Sequence, residues 1–170
     1  MSVDFFKYAE PVAPSEKFGL IDPNDKDGKF PVRISYDESE KWNATVECNN
    51  HDNYRFVPVD NNNEIPITRL NDQNKEESDN RCDAILGTDK TVCFIELKTE
   101  KEQWLPHAIR QLESTIDLFG DNIERYKFKR AYACNTRHPN SSVLYSDTQT
   151  KFYKAHKIIL RTRTDIKELD

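Results

Sequence analysis

The chain has 170 residues and 19.9 kDa, with 36% hydrophobic and 32% charged residues, a mean hydropathy of −0.87 and a net charge of −5. That length suffices for one domain with its own core, and nothing in it approaches the run of about 20 apolar residues that a membrane-spanning helix needs. An aromatic content of 11% argues against disorder, and the start lacks the basic and apolar stretches of a secretion signal, so a cytoplasmic protein without membrane contact is expected.

Residues 1–29 read as an irregular N-terminal extension, because Pro11, Pro14, Pro23 and the turn-rich run 22–28 punctuate them. Residues 30–36, 43–48 and 54–59 are rich in β-forming side chains and are expected as strands, with Pro31 and Pro58 favouring edges or ends. Polar loops follow at 61–63 and 71–80. Residues 84–86 and 91–95 are short apolar runs, and Gly87, Thr88, Asp89 and Lys90 between them have turn chemistry, so an antiparallel hairpin is expected. With the turn centred on Thr88 and Asp89, Asp83 pairs with Phe94. Alternation then puts Asp83, Phe94, Glu96 and Lys98 on one face.

A helix is expected over 105–119. Leu105, Ala108, Ile109, Leu112, Ile116 and Phe119 recur at three- and four-residue steps, Pro106 suits the first turn, and Gly120 marks the stop. His107, Gln111 and Thr115 share a flank of that stripe. Residues 130–135 read as a buried strand which, following a strand and a helix, would close a crossover parallel to the Glu96 strand. Residues 151–163 read as a basic helical turn feeding a final strand, with Lys151, Lys154 and Lys157 on one helical face.

Charge is unevenly spread. Through Glu124 the net is −12, whereas residues 125–163 carry 10 basic residues and one acid, Asp147. Such a segment in an acidic chain points to a phosphate-contacting surface. Lys127, Lys129, Arg130, Lys151, Lys154, Lys157, Arg161 and Arg163 are its expected nucleic-acid contacts. The four cysteines, Cys48, Cys82, Cys93 and Cys134, lack zinc-site spacing and read as small buried side chains.

Two acids within reach of one cation, beside a positioned amine, form a constellation suited to metal-assisted hydrolysis. Asp83, Glu96 and Lys98 are such a set. The arrangement resembles the PD-(D/E)xK nuclease superfamily, with an Asp at the start of one strand and Glu-x-Lys on the next. Asp83 matches the first acid, and Glu96-Leu97-Lys98 matches the E-x-K. Asp27-Gly28-Lys29 and Asp165-Ile166-Lys167 also fit that triplet formally, but neither has an apolar strand before it, a paired acid and a helix after it. Cys82 stands where the family name has proline.

The resemblance implies an α/β, restriction-endonuclease-like fold in which helices flank a mixed central sheet with an αβββαβ core, over one domain spanning 1–170. It implies a metal-dependent nuclease, acting on DNA more than RNA, in restriction, phage defence or repair. Mg²⁺ or Mn²⁺ would be held by Asp83, Glu96 and the carbonyl of Leu97. Lys98 would hold the attacking water or offset developing charge, and act as base only if its pKa were lowered. Gln111 matches a glutamine on the helix after the E-x-K strand, and Thr115 sits where a tyrosine often follows. Glu76 or Glu77 would supply the third acid that some relatives carry. A homodimer, or a subunit of a larger nuclease or defence complex, is the implied assembly. The alternative is a catalytically inactive nuclease-fold module that binds nucleic acid or protein.

Overall fold

In a computed structural model, residues 2–25, 28–48, 53–65, 68–70, 73, 76–78, 80–139 and 144–167 are described. Strands β1 (Glu10–Pro11), β2 (Lys17–Ile21), β3 (Asn24–Asp25), β4 (Gly28–Lys29), β5 (Arg33–Ser35), β6 (Ala44–Glu47), β7 (Arg55–Pro58), β8 (Thr68–Leu70) and β9 (Glu76–Ser78) precede the hairpin. The hairpin is β10 (Ala84–Gly87) and β11 (Thr91–Lys98). Helix α1 (Trp104–Phe119), β12 (Phe128–Asn135), helix α2 (Ser146–His156), β13 (Ile159–Arg161) and β14 (Asp165–Ile166) follow. The fold is mixed α/β.

A six-stranded sheet runs in the order β1-β7-β10-β11-β12-β13. β7, β10 and β11 form an antiparallel meander, and β12 and β13 continue it in parallel. The parallel pairing of β12 with β11 follows from chain order. A strand, a 16-residue helix and another strand return the chain to the same sheet edge. The apolar stripe expected on α1 is what docks it: Leu105, Ala108, Leu112, Ile116 and Phe119 are buried among Ile85, Val92, Phe94 and Ala131. Phe94 and Phe119 meet edge to face at 5.4 Å, a favoured aromatic geometry. Gly120 ends the helix with φ of 64°, a conformation that favours glycine.

The hairpin register departs from expectation by one turn position. The Thr88 amide donates to the Thr91 carbonyl at 2.9 Å. The Thr88 Oγ1 accepts the amides of Lys90 and Thr91 at 3.2 and 3.0 Å. This hydroxyl-capped turn centres on Asp89 and Lys90, so Ile85, not Asp83, pairs with Phe94, and Ala84 pairs with Ile95. Moving the turn centre by one shifts the pairing by two, which leaves every side chain on its expected face.

Two broader expectations are corrected. The described part of residues 1–29 is not an irregular extension. Phe5 is fully buried and stacks on Phe119 at 5.9 Å, and β2 lies inside a four-stranded sheet ordered β14-β6-β2-β5. Phe18 and Leu20 of β2 are fully buried, and the prolines that suggested irregularity only bound this segment. Nor do helices cover both faces of the central sheet. Residues of α1 and α2 join one apolar cluster, whereas the other face packs Phe56, Leu86, Ile95 and Tyr132 against Phe18, Leu20, Val46 and Ile166 of the second sheet. The result is helix on sheet on sheet, because 17–47 alternates at the strand period and lacks any helical stripe. Cys82, Cys93 and Cys134 are buried free thiols, but Cys48 is only half-buried. Among the described residues, no helix is long and apolar enough to cross a membrane.

Candidate active site

β10 begins at Ala84, and immediately before it the chain peels away from β11. The Cys82 amide leaves the ladder and donates to the Thr115 Oγ1 of α1 at 2.7 Å. The amide of Leu97 thereby loses a β-partner, and the carboxylate of Asp83 replaces it, with Oδ2 accepting at 2.7 Å. Reciprocally, the Asp83 amide donates to Glu96 Oε2 at 3.1 Å. The Lys98 Nζ lies 3.0 Å from Glu96 Oε1. Asp83, Glu96 and Lys98 are thus joined in one network where two strands part. Glu96 and Lys98 alternate with Phe94 and so belong to the face that α1 covers.

Electrostatics follow from burial. Asp83 is 6% and Glu96 1% exposed. Burial pushes the Asp83 carboxyl up to about 7, against the pull of the Leu97 amide, and the carboxylates of Asp22 and Asp60 add to the rise. Burial and the adjacent Asp83 push Glu96 well above the carboxylate range, with Lys98 pulling back. For Lys98, burial acts downward, but the carboxylates of Glu96, Glu100 and Asp83 outweigh it and the pKa is raised. Lys98 is therefore a cation here, and the condition for it to act as a base is not met.

Two acids absent from the sequence reading enter at this point. Asp60 follows β7, whose continuation is tied to the hairpin by the Val59 amide donating to the Asp83 carbonyl at 2.9 Å. Asp22 follows β2; burial raises its pKa, Asp60 raises it further and Lys98 lowers it. Four carboxyls thus sense one another around a single ammonium. The only cue in the sequence was an acid just past the end of a strand, which many surface residues share. Glu76 and Glu77 lie in β9, paired with β8, and their side chains fall outside the described residues.

Gln111 reaches back rather than inward: its Nε2 donates to the Arg81 carbonyl at 3.4 Å. Thr115 is fully buried and also donates from Oγ1 to the Gln111 carbonyl at 3.0 Å. Both hold the segment that carries Asp83. His107 is exposed beside Arg110.

The basic residues are dispersed. Val92 pairs with Lys129 and Cys93 with Arg130, so Lys127, Lys129 and Arg130 lie at the far end of the sheet, roughly 16 Å along the strand from Lys98. Lys129 is 3.1 Å from Glu124, and the Lys127 ammonium and the Arg130 guanidinium lie over the Phe128 ring. Lys151 and Lys154 are exposed on α2, whereas Lys157 is its C-cap with φ of 57°, over Tyr153. Arg161 pairs opposite Tyr132, and the Arg163 carbonyl accepts from Cys134 Sγ at 3.3 Å, near the site's end of β12. Lys101 and Arg137 sit in the loops that leave β11 and β12 at that end. Those loops are tied together by Asn135 Nδ2 donating to the Glu100 carbonyl at 2.7 Å and by His138 Nε2 with the Lys101 carbonyl at 3.0 Å.

The donors at the strand divergence are all oxygens, which suits a hard cation such as Mg²⁺, and two buried carboxyls with raised pKa values are what an added positive charge would relieve. Among the described residues, no group of three or more His, Cys, Asp or Glu side chains is placed to hold a metal ion, and the carboxylates at the divergence are those of Asp83 and Glu96. No protein-family model, no curated protein and no solved structure matches the chain.

Proposed function

We propose that this chain is a metal-dependent nuclease of the PD-(D/E)xK type, with a restriction-endonuclease-like core, that hydrolyses phosphodiester bonds of DNA. The observation that carries this reading is the hydrogen-bonded set Asp83, Glu96 and Lys98 at the divergence of β10 and β11. The strands β7, β10, β11 and β12 of one sheet, with α1 between β11 and β12 along the chain, agree with the βββαβ part of the implied core. Asp83, Glu96 and the Leu97 carbonyl would hold Mg²⁺ or Mn²⁺, and that ion, when bound, neutralises phosphate charge and acidifies water. Lys98, kept protonated by its acidic neighbours, offsets charge growing on the phosphoryl oxygens and orients the attacking water. Gln111 is a positioning residue that acts through the backbone before Asp83. Lys101 and Arg137 at the rim, with Arg163 behind them, are better placed for the substrate backbone than Lys127 or Lys129.

A cleavage panel of single-stranded, duplex and branched DNA and of RNA, with Mg²⁺ and with chelator, tests this. Cleavage should require the metal, and Glu96→Gln or Lys98→Ala should abolish it in folded protein. Undiminished cutting by either variant, or no cutting of any substrate, ends the assignment. One observation favours the second reading, an inactive binding module: Glu96 is 1% exposed with both oxygens already engaged. Calorimetric titration with Mn²⁺ decides between them, since only the enzyme requires a binding event that Asp83→Asn removes.

A further inference from the structure

At the turn end of the hairpin, away from Glu96 and Lys98, lies a cavity of about 460 Å³ lined in part by Lys7, Arg55 and Arg125. We propose that it binds a small phosphorylated ligand that also carries hydroxyl groups, in the class of sugar phosphates and nucleotides. Its volume falls within the range of ligand pockets, roughly 300–1,000 Å³. Arg55 is held rigidly: it sits on β7 opposite Pro11 of β1 and Gly87 of β10, and its guanidinium lies 4.4 Å over the Phe6 ring. Phe6 in turn rests on Gly87, where a Cβ would overlap the ring. This stack holds the Arg55 guanidinium beside the cavity without using any of its N–H donors.

Among the described residues, the side chains of Lys7, Arg55 and Arg125 form no ion pair or hydrogen bond. Three unpaired cations line one concavity together with the carboxylates of Asp4 and Asp89, a net charge of +1 that an anion relieves. The two planar guanidinium forks match phosphoryl oxygens in geometry. Asp4 and Asp89 also line the cavity, likewise unpaired, and as acceptors they suit the hydroxyls of a sugar. Asp89 lies in the hairpin turn, seven positions before Glu96, so the site is separate from the strand divergence by roughly 20 Å.

Calorimetry and thermal melts with pyrophosphate and with adenosine monophosphate test the proposal, beside a short oligonucleotide. Both small probes should bind and raise the melting temperature. Arg125→Gln and Arg55→Gln should each weaken binding about tenfold or more, while Glu96→Gln leaves it unchanged. Arg125 is exposed, so its variant remains decisive even if Arg55→Gln loses stability. No heat from either probe at millimolar concentration, or equal binding by both arginine variants, overturns the proposal. So does loss of oligonucleotide affinity in those variants without small-probe binding, which would make the cavity a contact for a nucleic-acid strand.

Discussion

Asp83 and Glu96 are two acids held beside each other with little water, and the chain manages them with one ammonium and two backbone amides. That has a measurable consequence in metal-free protein. The folded Asp83 carboxyl titrates near 7 against an ordinary value of 3.8, so the folded state binds a proton that the unfolded state has released between those values. Its stabilising contribution is full below about 4 and is lost as pH climbs through 7. In chelator, wild type and Asp83→Asn should therefore have similar stability at pH 4. At pH 8 the wild type should be weaker by about 2–4 kcal/mol, read from urea melts of both. Mn²⁺ at pH 8 should reverse that order. A gap independent of pH would show that Asp83 carries no raised pKa. The acidic pair and the lysine were legible in the sequence because hairpin alternation fixes faces from local spacing. Asp22 and Asp60 were not, since each reaches the cluster only through tertiary packing.

Thr115 shows how an element as a whole sets the site. It occupies the flank of α1 that faces the hairpin, and its hydroxyl accepts the Cys82 amide that leaves the ladder. Thr115→Val keeps the shape but leaves that buried N–H without a partner, so stability should fall by about 1–3 kcal/mol. Thr115→Ser should restore most of it. Equal stability of the valine variant in urea melts would mean that the amide finds another acceptor. The stripe of α1 was readable from its period, and so was Gly120 as its end. The turn register was not, because the Thr88 side chain, rather than the residue type at the turn centre, selects the pairing. The strand β2 was hidden for a related reason. Prolines flank it on both sides, and its alternating Phe18 and Leu20 make a short signal whose partners, Val46 and Ala44, lie far along the chain.

At the scale of the molecule, the second sheet joins residues 17–47 to β14 at 165–166. Pairing across that separation has no local signature, which is why the hairpin and its crossover were anticipated and the covering sheet was not. The same folding disperses a basic segment that is continuous in sequence. Lys127 and Lys129 go to one end of the sheet, while Lys101, from an acidic stretch, and Arg137 come to the other. If DNA crosses the strand divergence, Lys101→Gln and Arg137→Gln should each lower the salt slope of binding by about one. Lys127→Gln and Lys129→Gln should leave the slope nearly unchanged. The reverse ranking in a salt titration would put the backbone path over the far end. Charge reversal at Lys154 and Lys157 checks whether the exposed side of α2 takes part. The closing consequence concerns Asp83, whose carboxylate fills a vacancy in the β-ladder at Leu97. It is a seam as well as a proposed metal ligand, joining β10's lead-in to β11 where the two central strands part. An alanine there would remove the seam and the proposed ligand together, so only an amide replacement, which still accepts from Leu97, tells the two apart. By the same logic, an aspartate at this position is a poor witness to catalysis, because the bond to Leu97 alone gives a structural reason for an acceptor there.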